Sequence, residues 1–258
     1  MVVSIVNNKK LVPFLLFFTI LSFSLWSNPD LKPIYSPDSY GYWSLAKNFQ
    51  HEVSEIRPPF FPLLIKLCLL FSKNNWDQIL SLIQVILHTS IATLLFFVFK
   101  GFYLREGVCF ILSLLIGFNP NLLYYSNYVL ADHLLAILTT LAWYFTYKCN
   151  NQSINVRQKL RYIIAIGIFS GLAIITKPIA ILMVIPIIFS IIALHKINFN
   201  MVKTIILILT LNFSFHLSWN YYKGLNNPNL KFDVMNFIEN GINMTALRAG
   251  LVKYGEGT

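Results

Sequence analysis

Seven long apolar stretches with almost no internal charge run through this chain, at about 11–26, 77–99, 107–119, 129–147, 161–176, 178–195 and 203–221. Inside lipid only helices and closed barrels satisfy their backbone groups. The stretches are continuous rather than alternating, so they read as helices. A soluble domain carries about 25% charged residues. Here 12% are charged and 56% hydrophobic, with a mean hydropathy of +0.62. Several runs are shorter than the roughly 20 residues of a perpendicular span. The run 161–195 is too long for one helix, and Pro178 breaks it by removing a donor and crowding the preceding turn. A tight hairpin is expected at Thr176-Lys177-Pro178. The expected fold is all-α: a polytopic transmembrane bundle of about seven spans.

The formal charge of +10 raises nucleic acid as a partner. The bases are scattered between apolar segments, which is a topology pattern, so no nucleic acid is expected. With the N-terminus inside, the inner loops hold Lys9, Lys10, Lys100, Arg105, Lys148, Arg157, Lys159, Arg161, Lys196 and Lys203, with Glu106 as the one acid. The outer loops hold Asp30, Asp38, Glu52, Glu55, Asp77, Asp233, Glu239 and Glu256 beside their bases. The first run resembles a signal peptide, but no small-residue cleavage site follows Trp26, so it reads as an uncleaved first helix. Cys68, Cys109 and Cys149 have no disulfide or metal spacing.

Two outer segments are large, 27–76 and 222–258. In the first, Tyr42, Leu45, Ala46 and Phe49 fall at i, i+3, i+4, i+7, one apolar stripe on a short helix. Phe60 to Phe71 is apolar and flanked by Arg57, Lys66 and Lys73. Both segments read as amphipathic helices lying at the membrane interface. No internal repeat is evident.

This topology gathers ionic groups from four places onto one face: Asp38 and Arg57 in the first outer loop, Asp132 at the start of the fourth span, Lys177 at the outer hairpin. Ionisable groups at membrane depth cost roughly 2.5–3.5 kcal/mol on insertion scales and are functional candidates by default. Bases there suit a lipid-linked phosphate, and an acid suits proton removal from an attacking hydroxyl. Each has a plainer reading. Asp38 follows Ser36-Pro37 and fits a helix start. Asp132 fits the N-terminus of its own helix, Arg57 an interfacial anchor, and Lys177 a snorkelling base. His133 beside Asp132, and His216, are candidates that structural roles explain equally. Trp219, with Tyr221 and Tyr222, serves either as an aromatic belt or as a stacking face for a sugar. The glycosylation-type triplets at Asn151, Asn212 and Asn243 read as chance matches. No phosphate-cradling glycine loop, zinc-protease helix or nucleophile elbow is present, which argues against an ATP-driven pump, a zinc protease and a common hydrolase.

Several stretches together resemble the GT-C membrane glycosyltransferases, especially the bacterial group related to dolichyl-phosphate-mannose-protein mannosyltransferases that includes aminoarabinose transferases. Asp38-Ser39-Tyr40-Gly41-Tyr42 with Ala46 resembles the first-loop motif, and Arg57-Pro58-Pro59-Phe60-Phe61-Pro62 the basic Pro-Pro stretch after it. Asn119-Pro120 through Asp132, Gly171-Leu172-Ala173 with Thr176-Lys177-Pro178, Trp219-Asn220 and Glu239 to Asn243 resemble later landmarks. The resemblance implies transfer of a sugar from a polyprenyl-phosphate carrier to a glycan, lipid or protein acceptor at the outer face of a bacterial inner membrane. It implies Asp38 as general base and Asp132 as a second acid. Arg57 and Lys177 would hold phosphate, with Tyr42, His133 and Trp219 around the substrate. Ser39 stands where many members carry a second acid, so a metal held by two adjacent carboxylates is not indicated, and no cofactor is established. Members usually continue through further helices. The chain is therefore expected to be a first module, 1–221, with 222–258 starting a further part that a second subunit could supply. The competing expectation is a non-catalytic remnant or transporter-like protein. Transporters place charge at the midplane on broken helices, whereas charge here is expected at one face.

Overall fold

The computed structural model describes residues 11–49, 57–102, 104–149, 154–194 and 199–226. The bases Lys9, Lys10 and Lys196, the acids Glu52 and Glu55, the Asn151 triplet, and the tail from 227 with Asp233, Glu239 to Asn243 and Glu256 lie outside the described residues. Among those described, every regular element is helical: α1 (Leu11–Ser27), α2 (Pro37–Lys47), α3 (Phe60–Phe71), α4 (Trp76–Gly101), α5 (Glu106–Gly117), α6 (Pro120–Tyr125), α7 (Asp132–Cys149), α8 (Val156–Ile174), α9 (Ile181–Leu194) and α10 (Phe199–Asn226). Among the described residues, extended pairing is limited to one isolated bridge between Ile34 and Tyr128.

All seven apolar runs are helical, but the expected seven crossings are not carried by helix length. Two helices, Trp76–Gly101 and Met201–Asn226, are long and apolar enough to cross a membrane by themselves. Local chemistry shortens others. Asn119 accepts hydrogen bonds from the amides of Asn121 and Leu122 at 3.0 and 3.2 Å, and Pro120 occupies the first turn, so the run expected as 107–119 ends at Gly117 and a new short helix starts. The fourth run begins at Asp132 rather than 129, because Val129 is tied to Ile34. Pro178 breaks α8 from α9 as expected, with a 3-10 turn at Pro178–Ala180 between them.

Helix α4 is the spine. One flank packs on α1 and α5 through Leu16, Ile20, Ala92, Phe96 and Cys109. The other packs on α7, which in turn carries α8 and then α10. The α8–α10 seam is close because Gly167 faces Leu211 and Gly171 faces Phe215; a Cβ at either glycine would fall 2.5 or 2.4 Å from those side chains. Small residues at this spacing let helix backbones approach in lipid. Hydroxyls inside the bundle return their protons to the preceding turn: Thr89 to Val85, Thr146 to Ala142, Ser170 to Ile166 and Thr176 to Leu172, all within 2.9 Å.

The expectation that α2 lies on lipid by its apolar stripe is corrected. Tyr42, Leu45 and Ala46 are buried, and Tyr42 and Ala46 pack with Phe61, Ile65 and Cys68 of α3. The stripe's mate is a protein helix. It is α3 that keeps an outward apolar row, Leu63, Leu67, Leu70 and Phe71.

The two ends of the bundle differ in charge. One collects Lys100, Arg105, Lys148, Arg157, Lys159, Arg161 and Lys203, with Glu106 the one acid among its described residues, 3.4 Å from Lys100. The opposite end is laced to α2 and α3. Tyr35 donates to Asp77 at the start of α4 (2.7 Å), and the Phe60 amide donates to the Ile175 carbonyl at the end of α8 (3.2 Å). The Tyr222 hydroxyl of α10 donates to the Phe49 carbonyl (3.3 Å).

Candidate functional site

The four ionic residues singled out from the sequence all lie at the α2–α3 end, as two ion pairs. Arg57 Nη2 donates to Asp38 Oδ1 at 2.6 Å, and Lys177 Nζ donates to Asp132 Oδ1 at 2.6 Å. In both the base is the more enclosed partner: 19% exposed against 57% for the first pair, 23% against 45% for the second. Cations held from behind with carboxylates facing outward can meet an anionic or hydroxylic guest.

The first pair rests on α2. The plainer reading of Asp38 as a cap meets a specific finding. At the N-terminus of α2 the Ser36 amide donates to Ser39 Oγ at 2.8 Å, and the Ser39 amide donates back to the Ser36 carbonyl at 2.9 Å. The reciprocal bonding of the helix start is thus carried by two serines, and Asp38 is turned to Arg57. Ser39 is fully buried. Arg57 is held on its other side by the Tyr42 ring, 4.9 Å from the guanidinium carbon, and by Gly41, where a Cβ would lie 3.0 Å from Nε. Burial works against the Arg57 charge, but the Asp38 hydrogen bond and the field of Tyr42 outweigh it and hold its pKa above the ordinary value. Tyr42 is 2% exposed and meets Phe61 edge-on at 5.0 Å, so it backs the arginine rather than opening to solvent.

The second pair joins two long helices. Asp132 is the first residue of α7. Lys177 precedes the 3-10 turn after α8, its amide bonded to the Ala173 carbonyl at 2.9 Å. From Asp132 a cavity of about 300 Å³ runs between α7 and α9, walled by Leu135, Ala136, Thr139, Ile179, Leu182 and Met183. Its lining is apolar apart from Asp132 and Thr139. Both pairs border one hydrophobic cluster, which holds Tyr42, Phe61, Ala131, Leu134, Ile174 and Ala180.

The remaining candidates sit deeper. His133 is 6% exposed with its ring 5.6 Å from that of His88, inside the bundle beneath Asp132. Trp219 is 9% exposed, stacked on Tyr222 at 5.6 Å and flanked by Phe49 at 6.1 Å, so protein rings cover its faces. His216 lies 2.6 Å from the Asn220 carboxamide on the same helix.

Two residues not singled out from the sequence support the site. Gln84 Nε2 donates to the Leu130 carbonyl at 3.1 Å, two residues before Asp132. His88 Nε2 lies 3.0 Å from the Gly117 carbonyl, which fixes that nitrogen as the protonated one. Both are nearly fully buried and pin the two ends of the α5–α7 connection to α4. The signal is present in the sequence: Ser81, Gln84 and His88 recur at i, i+3, i+7 along one face of a mainly apolar helix. No group of three or more metal-ligating side chains occurs among the described residues.

The sequence pattern of the dolichyl-phosphate-mannose-protein mannosyltransferase family matches residues 56–219. No curated protein matches the chain.

Proposed function

This chain belongs to the dolichyl-phosphate-mannose-protein mannosyltransferase family, a membrane glycosyltransferase family, and we propose that it moves a sugar from a polyprenyl-phosphate carrier to an acceptor at the outer face of the membrane. The observation that carries the reading is the Lys177–Asp132 pair at the head of an apolar groove. An isoprenoid phosphate has the same two parts, an anionic head and a greasy tail. The groove between α7 and α9 takes the tail, and the phosphate displaces Asp132 from Lys177.

Chemistry follows at the first pair. Asp38, more exposed than any other member of the two pairs, accepts the proton of an acceptor hydroxyl as its oxygen bonds to the anomeric carbon. The bond from that carbon to the carrier phosphate breaks, and the phosphate gains a negative charge, which Lys177 and Arg57 stabilise. Single displacement inverts the anomeric centre. His133 and Tyr42 act from behind, through Asp132 and Arg57. The basic opposite end faces the cytoplasm under the positive-inside rule, which sets the pairs outside, with seven membrane-embedded segments, short ones included.

The test is Asp38→Asn, scored by surface glycan in a strain that depends on this gene and by sugar transfer from polyprenyl-phosphate donors in nanodiscs. Glycan and transfer both lost at normal protein level is the expected result. Unchanged glycan at normal level overturns the catalytic reading in favour of a non-catalytic carrier-binding protein.

A further inference from the structure

A second cavity, about 250 Å³, opens between the end of α1 and α6, apart from both ion pairs. Its walls are the rings of Phe23, Phe118 and Tyr124, the Ser27 hydroxyl, and the carboxamides of Asn28 and Asn127. We propose that this cavity is a binding site for one neutral pyranose ring.

The polar inventory decides the ligand class. No charged side chain is among the described residues lining the cavity, which disfavours phosphate and carboxylate guests. Asn28 Nδ2 donates to Asn127 Oδ1 at 2.7 Å. That bond fixes both amides and leaves Asn127 Nδ2 as a donor and Asn28 Oδ1 as an acceptor. The Ser27 hydroxyl donates to the Phe23 carbonyl at 2.8 Å, which leaves its exposed oxygen as an acceptor, while the buried Ser24 and Ser126 hydroxyls are spent on the Ile20 and Leu123 carbonyls at 2.8 and 2.6 Å. A mainly apolar wall carrying acceptors on Asn28 and Ser27 and a fixed donor on Asn127 matches a pyranose, which pairs C–H faces with hydroxyls that each bring a proton. Phe23 and Phe118, 4.6 Å apart and tilted, and half-exposed Tyr124 supply flat apolar faces for the C–H side of a ring. The volume, below the roughly 300 Å³ of the smallest drug-sized pockets, suits one sugar unit.

The cavity is also wired to the acids. Its back wall is fixed where the Ile34 amide donates to the Asn127 carbonyl (2.8 Å) and the Val129 amide to the Ile34 carbonyl (3.0 Å). From that bridge one chain reaches Asp38 in four residues and the other reaches Asp132 in five. At no more than about 3.6 Å per residue, both acids lie within roughly 14–18 Å of the bridge. A short oligosaccharide seated in the cavity spans that gap. The site's role in holding an acceptor glycan rests on the transfer reading; its binding of sugar does not.

The experiment measures binding alone. The protein in nanodiscs is mixed with methyl mannoside and methyl glucoside, and saturation-transfer NMR is read on the pyranose C–H protons. In a second arm the nanodiscs contain glucosyl-diacylglycerol, read by the same protons. Ser27→Phe fills the cavity from the last residue of α1, and Asn127→Leu removes the donor; melting temperature verifies folding. Transfer to a free glycoside, or to the glycolipid headgroup alone, supports the site and identifies its source. Either signal should fall about tenfold or more in Ser27→Phe, whose ring occupies the cavity, and about fivefold in Asn127→Leu, the worth of one hydrogen bond. Absence of signal in both arms, or retention in Ser27→Phe or in Asn127→Leu, would overturn the proposal. Because transfer activity is not read, failure of the glycosyltransferase reading leaves this outcome standing, and the converse.

Discussion

The two ion pairs have the same 2.6 Å separation and the same arrangement of enclosed base and open acid, yet they are built differently. Arg57 is gripped on three sides, by Asp38, the Tyr42 ring and the bare backbone of Gly41. Its planar fork is held in place, and its partner Asp38 is the more exposed side. Lys177 stands at a helix corner over an open apolar groove, where a flexible ammonium can exchange one anion for another. The difference teaches that identical geometry can serve two ends: under the proposed function the arginine pair would orient an acid, and the lysine pair would hold a place for a phosphate.

Breaking the acids separates these roles most sharply. Asp38→Asn should lower sugar transfer by about 10²–10⁴-fold, the contribution of a general base. Asp132→Asn should act in the opposite direction on donor binding: with the competing carboxylate gone, polyprenyl phosphate binds up to about fivefold tighter, the worth of a half-exposed ion pair. Equal losses of donor binding in both variants would erase the distinction. A larger effect on the same binding is expected from Lys177→Met, which should weaken it by roughly 10–100-fold, in line with a charge-assisted hydrogen bond. Lys177→Arg should recover part of this, and titration of fluorescent lipid phosphate into nanodiscs reads both. Neither change should destabilise the fold by more than about 1 kcal/mol.

Gly41→Ala tests the grip on Arg57. Alanine raises helix propensity by about 1 kcal/mol, so the melting temperature should hold or rise, while the new methyl pushes Arg57 away and transfer falls severalfold. Activity and stability moving together would sink the idea that Gly41 makes room for the arginine. The smallest effect belongs to Tyr35, which tethers the Asp38 segment to α4. Burial first, then its bond to Asp77, pushes the Tyr35 hydroxyl above its ordinary range. A raised folded pKa means the folded state holds its proton longer. The contribution is therefore fully present below the unfolded value near pH 10 and fades as pH rises beyond it. Tyr35→Phe should flatten the alkaline fall in melting temperature, and a wild-type curve with no such fall removes the effect.

The helical fold and the gathering of four ionic residues at one end were legible from apolar runs and the placement of bases, because lipid imposes both. The partnerships were not. Nothing in the order Asp38, Arg57, Asp132, Lys177 says which acid meets which base; that depends on Ser36 and Ser39 closing the α2 start and turning Asp38 outward. The α2 stripe suits a helix at the membrane interface as well as one against protein, because a helix period cannot distinguish a bilayer from a neighbouring helix. Trp219 fits an aromatic belt or a sugar face equally in the sequence, because its stacking partners, Phe49 and Tyr222, come from distant and adjacent turns that only the fold brings together. Gln84 and His88 were visible as polar breaks in α4 but have meaning only against the carbonyls they hold.

One backbone hydrogen bond links the two halves of this machinery. The Phe60 amide that holds the Ile175 carbonyl sits three residues from Arg57 and two from Lys177. A guest that wedged the α8–α9 corner outward would load the Pro-Pro segment through this bond as well as through the shared apolar packing. The two cations therefore sit on segments that share a fastening, and strain entering at one is expected to be felt at the other.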